Sequence, residues 1–515
     1  MKLTFEKYRN KVKACWLGKN IGGTLGAPFE CRRGVYDIEY YTHDLSKGVL
    51  PNDDLDLQLV WLNAAENYGR NVNAEILGEY WLSYIVPDWS EYGAGKNNMR
   101  YGLMPPISGW YANHNKDSCG CFIRSEIWAC LAPGHPEISV KYAYEDGICD
   151  HADEGVYGEL FCAAIQSAAF VESDLKKLVE IGKKYIPADC GIVKAVDTAF
   201  ACHEKGLSWK EARKAILQTI PGSFGMLGGY RDQEPEADVP VGKLGYDAPS
   251  NIGLMMVGWI YGEGDFSKSI CIAAGCCEDA DCTAGTLGAI LGIIHGTDII
   301  EEKWLLPIGD EIKTISLDLT KDARSGFVVP RTVSELTRRV VNLMPTFLYG
   351  YYEIGEKGIL EFTEIENVSE GQFKVGALEK GFLRDKLLVS PVSIRKSNAL
   401  FEVCITYEDG SLDISAEEKK KFKMRFYNKL HSQQWLEMKL HIPQEWLAFP
   451  GQEMSLCLNQ LHGGHSVTES SFEMIPQALS KGRYEVCLEI RSNGRLSSMY
   501  IPITLLTAQR SERNL

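Results

Sequence analysis

From the start of the chain to about residue 345, apolar residues recur three and four apart, broken by short Gly, Pro, Asp and Asn punctuation. That period predicts a succession of helices, with clear runs at 55–67, 156–171, 192–204 and 209–219. A last helix is predicted over 333–344, with Thr332 and Glu335 at capping-box spacing and Pro345 as its stop. Beyond about residue 360 the period changes to two. Phe422, Met424 and Phe426 alternate with basic residues, as do Leu436, Met438, Leu440 and Ile442, then Met454, Leu456 and Leu458. Tyr484, Val486, Leu488 and Ile490 continue the series, and Ile501, Ile503 and Leu505 close it. Turn signals at Pro450-Gly451, Gly463-Gly464 and Asn493-Gly494 separate these strands. The expected architecture is multidomain, an all-α domain over 1–350 followed by an Ig-like antiparallel β-sandwich over 360–515.

Composition adds exclusions. The 515 residues are 45% hydrophobic and 24% charged, ordinary for a globular protein with a sizeable core. A formal net charge of -15, with no basic stripe interleaved with aromatics, argues against nucleic acid and anionic membrane as partners. The first twenty residues have no apolar h-region, and no segment reaches the roughly 20 apolar residues that span a bilayer. Sixteen cysteines without a CxxC pair read as buried thiols in a reducing, cytoplasmic setting, with neither a disulfide framework nor a structural zinc array expected. A homo-oligomer stays open, and the sandwich, which shows no cluster of acids, His or Cys, is expected to pack, oligomerise or rim a site.

Two acidic clusters stand at helix starts: Asn52, Asp53, Asp54 and Asp56 before one, Asp279 and Asp281 before the other. Either alone is explained by capping and by the helix dipole. Glycine spacing changes the balance. Ala14, Gly18, Gly22 and Gly26 fall four apart, and so do Ala284, Gly288, Gly292 and Gly296. A helical glycine costs about 1 kcal/mol relative to alanine, so the repeated placement implies close approach of another backbone. Antiparallel packing of these two helices would bring Glu30 to Asp279 and Asp281. With Asp53 and Asp54 that makes five acids, a set that two divalent cations would neutralise. Oxygen ligands without histidine suit Mg²⁺, Mn²⁺ or Ca²⁺ and argue against zinc or copper.

These residues resemble the ADP-ribosylglycohydrolases, which include the enzyme that reactivates dinitrogenase reductase and the ADP-ribosyl-acceptor hydrolases. Three segments carry the resemblance: GKNIGGTLGAPFE at 18–30, NDDLDLQL at 52–59 and EDADCTAGTLGAILG at 278–292. SCGCFIR at 118–124 and DHADEGVYGELFCAA at 150–164 are similar to the family's Asn-Gly turn and histidine-led helix. The β-domain lies outside the resemblance.

The resemblance implies an all-α fold around two Mg²⁺ or Mn²⁺ ions, with Asn52, Asp53, Asp54, Asp279 and Asp281 as ligands. Glu30 or Asp54 would be the general base. Gly120 and its neighbours through Arg124 would shape a loop over ribose or phosphates, and His151 would join the pocket wall or cap the helix after it. The implied reaction is hydrolysis of a ribosyl N- or O-glycosidic bond on a small-molecule or ADP-ribosylated substrate. Departures from the pattern are Asn52, Leu55, Ala280 and Cys282, each where the family has threonine; the thiol is a poor partner for Mg²⁺, which leaves three alternatives, a weaker ion, Mn²⁺, or Thr283 or water in its place. Few basic residues (Lys96, Arg100, Lys116, Arg124) but many aromatics in the middle segment leave room for a small nucleoside-like N-glycoside. A non-catalytic ADP-ribose-binding module is the third reading.

Overall fold

The computed structural model describes residues 3–220, 238–239, 247–319, 327–348, 352–354, 360–362, 390–460 and 466–507. The expected turn at Gly463-Gly464, and the residues next to the expected domain boundary at 349–351 and 355–359, lie outside them. The chain divides into two units. One comprises Met1–Lys96 and Asn113–Gln372, the other Asn97–Ala112 and Phe373–Leu515.

The first unit is helical. In chain order its helices and those of the excursion are α1 (Phe5–Gly26), α2 (Asp53–Tyr68), α3 (Ala74–Tyr84), α4 (Ser90–Arg100) and α5 (Ile107–Trp110). There follow α6 (Glu126–Leu131), α7 (Pro136–Gly147), α8 (Glu154–Ala168), α9 (Leu175–Lys183), α10 (Gly191–Glu204) and α11 (Trp209–Thr219). The remainder are α12 (Ala248–Gly262), α13 (Phe266–Gly275), α14 (Ala280–His295), α15 (Glu302–Leu305) and α16 (Val333–Phe347). Every residue of α1 from Ala14 to Gly26, and of α14 from Ala280 to Ile294, is buried, as sequences apolar or small all round require. Among the described residues no helix is long and apolar enough to cross a membrane.

α1 and α14 pack antiparallel at backbone distance. A Cβ on Gly18 would lie 2.1 Å from Gly288 O, one on Gly22 2.2 Å from Ala284 O, one on Gly26 2.3 Å from Ala280 O, and one on Gly292 2.3 Å from Ala14 O. Here glycine is the only residue that fits. The register differs from the sequence reading at one end: Gly296 is not in the stripe, since with φ +80° it caps α14 and faces Asn10. Ala280 takes the last place instead.

α16 runs through Pro345 to Phe347 rather than stopping at 344. A proline this late disrupts only the final turn, which Leu348 N–H closes by donating to Met344 O (3.1 Å). Its N-cap is half the expected box: Thr332 Oγ1 accepts from Glu335 N–H, while Glu335 Oε2 accepts from Arg331 N–H.

The second unit is a β-sandwich. After a small hairpin in the helical unit, β1 (Tyr352–Ile354) with β2 (Leu360–Phe362), come β3 (Ser393–Ser397), β4 (Phe401–Tyr407), β5 (Asp413–Ile414), β6 (Lys420–Asn428) and β7 (Gln434–His441). β8 (Leu447–Phe449), β9 (Glu453–Leu458), β10 (Ser466–Ile475), β11 (Arg483–Ser492) and β12 (Ser498–Thr507) complete it. The sheets are ordered β3-β4-β6-β10-β8 and β5-β12-β11-β7-β9, antiparallel except where β5 meets β12. The alternating residues Phe422, Met424 and Phe426 of one sheet and Leu488, Ile490 and Ile503 of the other share one core. Leu103 and Ile107, from the Asn97–Ala112 excursion, are buried in that same core, 3% and 2% exposed.

Candidate metal centre and catalytic cleft

The N-terminus of α14 carries an unusual backbone. Cys277 (φ +58°) and Glu278 (φ +65°) are consecutive left-handed residues, each costing about 1–3 kcal/mol. Three interactions hold them: Glu278 N–H donates to Arg32 O (2.8 Å), Cys31 N–H donates to Glu278 O (3.0 Å), and the buried Glu278 carboxylate pairs with Arg33 Nε (2.7 Å). The bend delivers Asp279 and Asp281 into a cleft of about 310 Å³.

Across that cleft, Asn52 caps α2 by accepting from Asp54 N–H (2.7 Å) and donates its amide to Asp281 Oδ2 (3.0 Å). Asn52 thereby ties the two acidic clusters together, its side-chain oxygen on the helix cap and its amide nitrogen on Asp281. Gly23 makes room for it, since a Cβ there would sit 2.8 Å from Asn52 Nδ2. Asp53 accepts from Tyr92 OH (3.0 Å), and Asp279 Oδ2 accepts from Cys119 Sγ (2.8 Å). Asp54 is flanked by Cys282 Sγ, 3.4 Å from Oδ1, and by Lys19 Nζ, 3.0 Å from Oδ2. Glu30 stands partly exposed among the lining residues.

The crowding shows in the acidities. The charge of Asp281, then burial, pushes the Glu30 carboxyl up to about 9. Burial followed by the charge of Asp54 raises Asp281 to about 7, and burial with Asp54 raises Asp53 to about 6. Asp279 is also held well above the carboxylate range, by burial and then by its neighbours Cys119 and Asp281.

Ligand atoms of Glu30, Asp279 and Asp281 lie within 4.8 Å of one another, and so do those of Asp54, Asp281 and Cys282. Asp279 Oδ1 and Asp281 Oδ1 are buried and receive no hydrogen bond from a nitrogen or hydroxyl donor. An orphaned buried carboxylate oxygen is costly, and two aimed into one acidic cleft fit divalent cations shared through Asp281. Thr283 is buried and is not among the lining residues, its hydroxyl donating to Ala280 O (3.1 Å).

Of the residues expected on substrate, Gly120 lines the cleft, whereas Arg124 and His151 are fully buried and do not line it. Arg124 Nε pairs with Asp146 (2.9 Å) and its terminal nitrogens with Asp150 (2.6 and 3.1 Å). His151 bridges Asp150 (Nδ1, 2.9 Å) and Ser118 (Nε2, 2.8 Å). Both therefore support the 118–120 loop from behind. The sequence reading missed Lys19, Glu126 and Glu91, and named Ser118 and Cys119 only as part of the segment around Gly120. Glu91, pushed up to about 7 by burial, and Ser118 lie in loops or helix starts without periodic signal. Trp89 and Tyr92, noticed only as members of an aromatic-rich segment, both line the cleft; Trp89 is 45% exposed.

A solved structure described as an ADP-ribosylglycohydrolase-related protein complex matches with 17% identity and a TM-score of 0.42, over 66% of this chain and 99% of that one. No curated protein matches the chain. The sequence model of the ADP-ribosylglycohydrolases matches residues 4–327, which span α1 through α15 and every residue that lines the cleft. The chain belongs to the ADP-ribosylglycohydrolase family.

Proposed function

We propose that the chain is a metal-dependent glycoside hydrolase that cleaves a ribosyl N- or O-glycosidic bond at the anomeric carbon. The observation that carries this reading is the convergence of Glu30, Asp53, Asp54, Asp279 and Asp281 on one cleft, two of them with orphaned oxygens. Glu30, Asp279 and Asp281 would hold Mg²⁺ or Mn²⁺ through oxygen alone, and Asp54 and Asp281 would take part in a second position. When bound, the ions neutralise the carboxylates, engage ribose hydroxyls and lower the pKa of a bound water.

The remaining chemistry belongs to the protein. Glu30 is the better general base, because Asp54 is pinned by Lys19 while, among the described residues, no basic side chain pairs with Glu30, and neutralisation of Asp281 by the ions would remove the main charge that keeps the Glu30 carboxyl protonated. Negative side chains around the anomeric carbon stabilise oxocarbenium character in the transition state. Gly120 allows close approach of the loop, since a Cβ would fall 2.1 Å from Glu91 Oε1. Asn52 keeps the two acidic helix starts in register, and Trp89 offers an aromatic face to a base or other ring.

The cleft also favours a second reading of the substrate. Among the described lining residues none is Lys, Arg or His, so nothing there pairs with a pyrophosphate. Lys96 is spent on the carbonyls of Ile85, Val86 and Pro87 and on Asp88. A small nucleoside-like N-glycoside suits such a lining better than a doubly charged diphosphate. Turnover of ADP-ribosyl-arginine, ADP-ribosyl-serine and a nucleoside panel, with Mn²⁺ or Mg²⁺ and with EDTA, tests both. Absence of any turnover in any metal overturns the enzyme reading. Turnover that survives chelation and Asp281→Asn overturns the metal-dependent one.

A further inference from the structure

Two thiols meet the carboxylates of this cleft, although no cysteine spacing in the chain announces it. Cys282 and Cys119, 5% and 1% exposed, both line the cleft. Cys282 Sγ donates to Asp54 Oδ1 (3.4 Å) and Cys119 Sγ donates to Asp279 Oδ2 (2.8 Å). Ligand atoms of Asp54, Asp281 and Cys282 are within 4.8 Å of one another. Asp281 Oδ1, buried and receiving no hydrogen bond from a nitrogen or hydroxyl donor, belongs to the residue both clusters share.

We propose that the position bounded by Asp54, Asp281 and Cys282 is a mixed thiolate–carboxylate site for a borderline-soft divalent cation of the zinc class, beside the all-oxygen position of Glu30, Asp279 and Asp281. The inference rests on the reading that this cluster holds divalent cations, and it departs from the expectation, drawn from oxygen ligands alone, that argued against zinc.

The chemistry of the donors decides the class. Mg²⁺ demands near-ideal octahedral oxygen ligation and keeps its waters, and a sulfur in its shell is a poor exchange. Zinc accepts sulfur at about 2.3 Å and carboxylate oxygen at about 2.0–2.2 Å in a tetrahedron, which separates ligand atoms by roughly 3.6 Å. Atoms already within 4.8 Å need only a small contraction to reach that arrangement. Lys19 holds Asp54 Oδ2, so Asp54 meets the ion through the oxygen beside Cys282. Cys119 donates its S–H to Asp279 Oδ2, which leaves Cys282 as the thiol that faces Asp54 and Asp281. Binding releases the Cys282 proton to solvent.

The test uses the full chain stripped with a chelator and titrated with Co²⁺, a coloured stand-in for zinc, then with Zn²⁺, Mn²⁺ and Mg²⁺ by calorimetry. A near-ultraviolet thiolate-to-cobalt charge-transfer band is expected, displaced by Zn²⁺ but not by Mg²⁺. In Cys282→Ser the band disappears and Zn²⁺ affinity falls by at least about 10- to 100-fold, the scale seen when even an outer partner of a ligand is removed. Mn²⁺ binding at the all-oxygen position is retained. Because the serine variant is at risk of misfolding, Cys282→Thr serves as a second variant, and Zn²⁺ but not Mg²⁺ is expected to protect the wild-type Cys282 peptide from alkylation. Persistence of the band in both variants, or displacement of Co²⁺ by Mg²⁺ as readily as by Zn²⁺, overturns the thiolate site. Mn²⁺ binding without any charge-transfer band removes the thiolate site and leaves the metal-dependent reading standing. Failure to bind any divalent ion removes both.

Discussion

Lys19 holds Asp54 from the side away from the cleft, its ammonium 3.0 Å from Asp54 Oδ2, 3.4 Å from Glu126 Oε1 and 3.2 Å from Thr286 Oγ1. All three ionic groups are buried, with side chains no more than 2% exposed. Burial favours the neutral amine, yet the charges of Asp54 and Glu126 outweigh it and keep the lysine protonated. Removing one member of such a set strands the others. Lys19→Met is expected to lower folding stability by about 3–5 kcal/mol, measured by chemical denaturation. Adding Glu126→Gln to Lys19→Met should recover part of the loss; no recovery would mean that the lysine acts by packing alone.

The α1–α14 contact gives a sharper steric test. Gly22→Ala places a methyl 2.2 Å from a backbone oxygen that cannot move without displacing α14, and hence Asp281. A cost at the upper end of, or beyond, the roughly 1–3 kcal/mol typical of overpacking is expected, together with weaker Mn²⁺ binding. Gly451→Ala, whose nearest new neighbour is 3.6 Å away, should stay within about 0.5 kcal/mol of wild type.

Proton linkage follows from the raised acids. Glu30 at about 9, Asp281 at about 7 and Asp53 at about 6 all hold protons in the folded state that an unfolded carboxyl releases near 4. The native state therefore binds more protons than the unfolded one across that interval, and stability falls as pH rises. In EDTA, the melting temperature is expected to drop steadily between about pH 5 and about pH 9. Saturating Mn²⁺ should flatten the slope, because the ion replaces the protons. An EDTA profile that rises over this range would contradict the clustering of unpaired carboxylates.

Tyr92 donates to Asp53 from a buried position and fixes one of the five carboxylates that line the proposed metal cleft. Tyr92→Phe keeps the ring and removes the hydroxyl. Mn²⁺ affinity by calorimetry is expected to fall about 10- to 100-fold. The metal-free protein should lose only about 0.5–1.5 kcal/mol, the value of one hydrogen bond.

What the sequence made legible was what repeats locally. The Ala14/Gly18/Gly22/Gly26 and Ala284/Gly288/Gly292 spacings survive as an antiparallel contact, and the two acidic helix starts meet where that contact ends. Alternation likewise exposed β6, β7, β9, β11 and β12. Lys19 was invisible because a lysine in a helix reads as solvent-facing, and only the placement of Glu126 and Asp54 around it makes burial tolerable. Arg124 was read for its chemistry, but Asp146 and Asp150 claim it, and those partners are set by how α7 ends and not by any motif at 118–124. Leu103 and Ile107 were unremarkable apolar residues in a helical stretch, with nothing to indicate which core would take them.

Those last two residues constrain how the molecule can be made. They leave the ribosome early, whereas β3 to β12, whose core they complete, come from the final third of the chain. Until the last strands arrive, Leu103 and Ile107 lack the core that buries them in the finished chain. Strands excised from residue 390 onward would carry a vacancy shaped for Leu103 and Ile107, so the second unit is a domain in its packing but not in its order of synthesis.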